Sequence, residues 1–144
     1  MTQVNGVQTV RIPVPKTALI VEDEIFVALD LERILTDAGY SVAAIAADSA
    51  SAMDAAPNVS FAFVDVNLRD GPTGPGIAER IARDYGVKVV FVTANPAQIG
   101  PESACALGYI RKPFSEAAIL AAASLATAGE PVDCYGDLVT IRRA

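Results

Sequence analysis

Four apolar runs, rich in β-branched residues and each ending on a reactive polar side chain, constrain this chain more than any other feature. Leu19-Ile20-Val21 runs into Glu22-Asp23-Glu24, and Phe61-Ala62-Phe63-Val64 stops at Asp65. Val89-Val90-Phe91-Val92 stops at Thr93, and Tyr109-Ile110-Arg111 reaches Lys112-Pro113. Strands of a parallel sheet covered on both faces read as such runs, and ligands of these sheets bind just beyond the strands' carboxyl ends. Set side by side, the four ends bring carboxylates, a hydroxyl and an ammonium around one crevice. Clustered carboxylates suit a hard dication, while the hydroxyl and the ammonium suit phosphate oxygens. The pattern predicts a site that places a phosphoryl group on an aspartate.

Between the runs the periodicity turns helical, the signature of βαβ units and of a doubly wound α/β fold with a parallel sheet. Residues 17–21 form the first predicted strand. Residues 24–38 form a helix with Val27, Leu31, Ile34, Leu35 and Ala38 on one face and Gly39 as its stop. A second strand follows over 40–45, then a short Ala-rich helix capped by Asp48 or Ser49 and closed by Pro57. The third strand, 61–65, is the most apolar and therefore central. A Gly/Pro loop over 67–76 opens on a helix over 77–84, with Gly86 as its stop, and 87–93 is the fourth strand. Pro96, Gly100 and Pro101 break the pattern after it, so 95–100 is expected to be irregular and followed by a short helix over 101–107. The fifth strand is 109–112, and a final Ala-rich helix runs from 115 to near 129. Residues 1–16 read as a flexible arm, 17–129 as the domain, and 130–144 as a tail outside the alternation and too short for an effector domain.

Composition narrows the function. A net charge of −6 without a basic tract argues against a nucleic-acid surface. The longest apolar stretch is far short of a membrane span, and the start lacks the layout of a secretory signal. Cys105 and Cys134 make no metal or CxxC spacing and read as reduced thiols of a cytoplasmic protein. The chain has no histidine, which excludes a Ser-His-Asp triad, an imidazole general base and histidine-ligated metals.

Over about residues 17–129 the chain resembles the receiver domain of bacterial response regulators. The matching stretches are Leu19-Ile20-Val21-Glu22-Asp23-Glu24, Phe63-Val64-Asp65-Val66-Asn67-Leu68, Val92-Thr93-Ala94 and Gly108-Tyr109-Ile110-Arg111-Lys112-Pro113-Phe114, in that order. The resemblance implies a five-stranded parallel sheet of flavodoxin-like order 2-1-3-4-5, with helices on both faces. It implies that Asp65 is the phosphoacceptor and that Asp23 and Glu22 form an acidic pocket for Mg²⁺. Thr93 would be the hydroxyl that moves onto the phosphoryl group and Lys112 the cation that pairs with it. Tyr109 would be the switch aromatic, and the Lys112–Pro113 bond would be cis. The implied partners are a histidine kinase or a histidine phosphotransfer protein, and an unknown downstream protein, within a two-component phosphorelay.

Three departures stand out. Glu22 occupies a position where the family often has Asp. The proline often found four residues after the acceptor is absent; Arg69 is followed instead by Asp70-Gly71-Pro72-Thr73-Gly74-Pro75-Gly76, which gives the loop over the site its own geometry. Pro96 and Pro101 disturb the usual fourth helix, part of the family's output face.

The chemistry stands without the family. An aspartate is a weak nucleophile, so positioning and charge neutralisation must supply the catalysis. Mg²⁺ prefers octahedral oxygen and keeps waters, so a few protein oxygens suffice. Asp23 and Asp65 offer carboxylates, Asn67 a backbone carbonyl, and Glu22 a contact through water. The dication and Lys112 favour an ionised Asp65. The expectation is a single-domain response regulator, not an enzyme beyond its own Mg-dependent phosphorylation and dephosphorylation. A small-molecule phosphatase or phosphotransferase working through an aspartyl-phosphate would want a second acid close behind the nucleophile, where Val66-Asn67 offers none. A receiver-like interaction module independent of phosphate would be expected to lose Thr93, Lys112 or an acid, and none is lost.

Overall fold

Unbroken runs of Val, Ile, Leu and Phe leave a strand no polar face for solvent, and the chain buries them in the middle layer of an α/β sandwich. The computed structural model describes residues 16–100, 104–128 and 138–140. The elements are β1 (Thr17–Val21), α1 (Ile25–Asp37), β2 (Ser41–Ala46), α2 (Ser49–Ala55), β3 (Phe61–Val64), α3 (Gly74–Tyr85), β4 (Lys88–Thr93), β5 (Ala106–Arg111), α4 (Glu116–Ala128) and β6 (Leu138–Thr140). The sheet order is β2-β1-β3-β4-β5-β6, with β1 to β5 parallel as expected. Helices cover both faces. Ala28, Leu31, Ile34 and Leu35 of α1 and Ala118, Ile119 and Ala122 of α4 pack on Ile20, Phe61, Phe63 and Val92. Ala52 of α2 and Ile77, Ala78 and Ile81 of α3 pack on Leu19, Val64, Val89 and Phe91 of the other face.

Local chemistry sets the ends of these elements. Asp48 caps α2, its Oδ1 accepting the Ser51 N–H at 3.0 Å. Gly86 closes α3 in the left-handed region at φ 68°, where a Cβ is penalised. A 3₁₀ turn at Ala56–Asn58 follows α2, and another at Pro96–Gln98 follows β4.

Three expectations need correction. The sheet has a sixth strand: β6 runs antiparallel to β5, pairing Thr140 with Gly108, Val139 with Tyr109 and Leu138 with Ile110. It comes from a tail whose sequence shows no alternation, because three residues at a sheet edge carry too short a pattern to read. Of the short helix expected over 101–107, residues 101–103 lie outside the described residues, Ala104 and Cys105 lie in a 3₁₀ turn, and Ala106 and Leu107 open β5. Ala and Leu favour helix, but pairing of Ala106 with Val89 and of Gly108 with Val90 wins, with a register shift between Val89 and Val90. Third, α3 starts at Gly74, before Ile77, since proline is tolerated in a first turn and Pro75 fits there.

The arm read over 1–16 lies, apart from Lys16, outside the described residues, as does the tail of 130–144 apart from β6. Among the described residues, no helix is long and apolar enough to cross a membrane.

Candidate functional site

The parallel register delivers the strand ends to one edge of the sheet. Val21 pairs with Val64, which puts Glu22 beside Asp65, and Thr93 pairs with Arg111, just before Lys112. Backbone bonds fix the ends: Glu22 N–H to the Ala46 carbonyl at 2.8 Å, Asp65 N–H to the Val21 carbonyl at 2.9 Å, and Lys112 N–H to the Thr93 carbonyl at 2.9 Å. The Lys112–Pro113 peptide bond is cis.

The side chains form a compact charged cluster. Lys112 Nζ lies 2.9 Å from Asp65 Oδ2 and 2.8 Å from Glu22 Oε1. Asp65 Oδ1 accepts the Val66 N–H at 2.7 Å, and Glu22 Oε2 accepts the Glu24 N–H at 3.1 Å, at the start of α1. Both Glu22 and Asp65 are buried, whereas Asp23 is exposed. Carboxylate oxygens of Glu22, Asp23 and Asp65 all lie within 4.8 Å of one another. Glu22 Oε1 has an ion-pair contact to Lys112 but no aligned hydrogen bond, which leaves one buried oxygen short of a donor. An all-oxygen, anionic set with one under-satisfied buried atom fits a hard, hydrated dication, whose waters donate hydrogen bonds, and not a soft metal.

Burial pushes the Glu22 carboxyl up to about 7, and the Asp65 charge adds to the rise, against the Lys112 ion pair and the Glu24 hydrogen bond. For Lys112, burial disfavours the ammonium, but its contacts with the Glu22 and Asp65 carboxylates outweigh that and raise its pKa. Lys112 is thus a permanent cation at neutral pH.

The other expected residues surround this cluster. Thr93 is buried, and its Oγ1 accepts the Asn95 N–H at 3.0 Å. Thr93 makes no side-chain hydrogen bond to Asp65 or Lys112 among the described residues. Asn67, exposed on the loop after β3, donates from Nδ2 to Gln98 Oε1 at 2.8 Å. Tyr109 is half-buried on β5 and packs on the apolar cluster of the α2/α3 face.

Two contributors escape a reading of the sequence. A Cβ on Gly74 would run into the backbone carbonyl of Asp65 and come within 2.8 Å of the Val66 Cα. The missing side chain lets α3 begin against the backbone of the acceptor strand, where Gly74 N–H donates to the Val66 carbonyl at 3.0 Å. Asp70 clips the loop to α2: its Oδ1 accepts the Thr73 hydroxyl at 2.7 Å and its Oδ2 the Ser49 N–H at 3.1 Å. Those bonds, Thr73 first, hold the Asp70 carboxyl down to about 2. The Gly/Pro-rich run 71–76 is the one sequence signal that pointed to unusual geometry here.

A doubly wound sheet with an acidic pocket, a strand-end threonine and a strand-end lysine around one aspartate defines the receiver class. The chain belongs to the response regulator receiver domain family, whose model matches residues 18–124. It is 31% identical over 115 residues to the phyllosphere-induced regulator PhyR of Methylorubrum extorquens, covering 75% of this chain and 42% of PhyR. It is 32% identical over 120 residues to the transcriptional regulatory protein PdtaR of Mycobacterium tuberculosis, covering 78% of this chain and 57% of PdtaR. The solution structure of the receiver domain of Erythrobacter litoralis PhyR superposes with a TM-score of 0.72 at 27% identity, covering 82% of this chain and 95% of that one. The chain spans about half the length of the curated relatives it matches.

Proposed function

We propose that the chain accepts a phosphoryl group on Asp65 from a phosphohistidine of a histidine kinase or histidine phosphotransfer protein. It then signals by binding a downstream protein or by passing the group on. The observation that carries this reading is the Lys112 ammonium held against the Asp65 carboxylate, with a buried threonine at the next strand end.

In the proposed step a carboxylate oxygen of Asp65 attacks phosphorus, the P–N bond breaks, and its electron pair stays on the imidazole, which takes a proton from solvent. Lys112 neutralises one side of the transferring group and Thr93 offers a hydroxyl to another of its oxygens. Asp23, Asp65 and the Asn67 carbonyl would hold Mg²⁺, with Glu22 reaching it through water. Bound Mg²⁺ supplies further neutralisation of the phosphoryl oxygens. Tyr109 reports the change along β5. The chain acts on its own carboxylate and on no separate substrate, and the reading places it in the cytoplasm beside its kinase.

A protein donor is supported by the surface beside the pocket. Phe26 of α1 is 83% exposed, with Ile25 and Leu29 also exposed. Phe26 borders an open cleft of about 520 Å³ whose wall is apolar at Val27, Ala94, Pro113 and Phe114 and charged at Glu24, Asp30 and Lys112. Exposed apolar area of this kind marks protein contact. The test is transfer from a radiolabelled phosphohistidine domain. Label should move to the wild type in Mg²⁺ and not to Asp65→Asn, whose amide is no nucleophile. Equal labelling of both would refute the reading.

A further inference from the structure

Asn67 and Gln98 lie 31 residues apart on two different loops, joined by the 2.8 Å bond from Asn67 Nδ2 to Gln98 Oε1. Asn67 follows Asp65 by two positions, and its backbone carbonyl is the one assigned above to the cation. Gln98 ends the 3₁₀ turn that stands after β4. That turn is closed by Gln98 N–H to the Asn95 carbonyl and Ile99 N–H to the Pro96 carbonyl, both at 3.0 Å. Its far side is anchored where Ile99 packs on the same apolar cluster as Tyr109. At its near side Thr93 Oγ1 holds the Asn95 N–H. The turn is therefore tied to the core at both ends, and a side-chain bond to Asn67 bridges it to the acceptor loop.

We propose that Gln98 is a positioning residue: by holding the Asn67 amide it orients the Asn67 peptide toward the cation and carries occupancy of the acidic pocket to the turn at 96–99. This rests on the reading of Asp65 and its pocket given above. Were the Asn67 carbonyl to ligate a cation, any turn of its peptide would be passed to the 96–99 turn through the Asn67 side chain anchored on Gln98. By reciprocity, a turn that fixes Asn67 improves binding at the pocket by the same factor. A single hydrogen bond between exposed amides is a modest contribution, so the effect on affinity is about two- to tenfold.

The experiment uses the full chain with Mg²⁺ and beryllofluoride as the probe. Binding affinity and the backbone amide resonances of Gln98 and Ile99 are followed in the wild type, Gln98→Met, Asn67→Ala and the double variant. Gln98→Met keeps side-chain length without the acceptor, and Asn67→Ala keeps the backbone carbonyl without the donor. The expected result is about two- to tenfold weaker binding in Gln98→Met, with the Gln98 and Ile99 amides no longer responding, and no further loss in the double variant relative to Asn67→Ala. The inference is overturned if Gln98→Met leaves the affinity and the probe-induced shifts at positions 98 and 99 as in the wild type, or if its effect is undiminished in the Asn67→Ala background. Failure of the wild type to bind the probe would overturn the reading of the pocket itself, and the inference with it.

Discussion

Lys112 Nζ stands 2.9 Å from Asp65 Oδ2 and so ties the end of β5 to the residue that ends the central strand. The same ammonium contacts Glu22, so one cation partly neutralises two buried carboxylates. In Lys112→Ala the pocket keeps every proposed cation ligand and loses a competing positive charge. Mg²⁺ affinity should be retained or raised, while amide shifts induced along β5 by beryllofluoride should largely vanish. Calorimetric titration and amide spectra check the two halves separately. A tenfold loss of Mg²⁺ affinity would show that Lys112 holds the pocket together and does not pair with the phosphoryl group.

Glu22 gives the pocket a pH dependence. Burial raises its carboxyl from an ordinary 4.5 to about 7, so the folded chain binds this proton more tightly than the unfolded one. The stability it contributes is complete below pH 4.5 and is lost as pH rises through about 7. Glu22→Gln removes the titration. Between pH 5 and pH 8 the variant should gain on the order of 2 kcal/mol on the metal-free wild type, by urea denaturation. Cation binding requires the carboxylate, so Mg²⁺ affinity of the wild type should rise over the same range with release of a proton, and that rise should flatten in the variant. A stability difference independent of pH would contradict this account of Glu22.

Gly74→Ala sets two effects against each other. Alanine favours a helix interior by about 1 kcal/mol over glycine, and less at a first turn. The added Cβ meets the Asp65 carbonyl and the Val66 backbone, which must then shift, a change that costs roughly 1–3 kcal/mol when a packed site is overfilled. The clash should win, giving a net loss of stability together with slower phosphorylation by a small donor, since the displaced backbone carries Asp65. Equal stability and equal loading would show that α3 moves away without disturbing the acceptor.

Phe26 separates docking from chemistry. Phe26→Ser should slow transfer from a phosphohistidine protein by about tenfold or more, the loss expected of a central aromatic contact. Loading from acetyl phosphate, which needs no docking surface, should change far less. Equal slowing with both donors would place Phe26 in the pocket's own structure instead.

How much of this was legible from residues alone follows from burial. Strands β1, β3 and β4 are covered on both faces, so their runs could hardly be anything else, and the residues closing them, Glu22, Asp65 and Thr93, came with them. Lys112 followed from its place after Tyr109-Ile110-Arg111. What escaped depends on contacts that no local pattern encodes. Ala106 and Leu107 carry helical preference, and only pairing with β4 makes them strand. Strand β6 is a three-residue edge held by β5, where Gly108 leaves the space: a Cβ there would lie 3.0 Å from the Thr140 Cα. Asp70 and Gln98 act through bonds to residues 21 and 31 positions away, and Gly74 through a close backbone approach to Asp65 and Val66, so composition suggested an unusual loop there without showing what it touches.

The central claim is that Asp65 is the atom-level acceptor, and chemical mapping tests it most directly. The protein is loaded in Mg²⁺ with a phosphodonor, the acyl phosphate is reduced with borohydride, and the modified residue is located by peptide mass spectrometry. The account predicts conversion of Asp65 to homoserine, dependent on Mg²⁺, with Glu22 and Asp23 unmodified. Conversion at another carboxylate with Asp65 intact, or the same yield without a divalent cation, would contradict it.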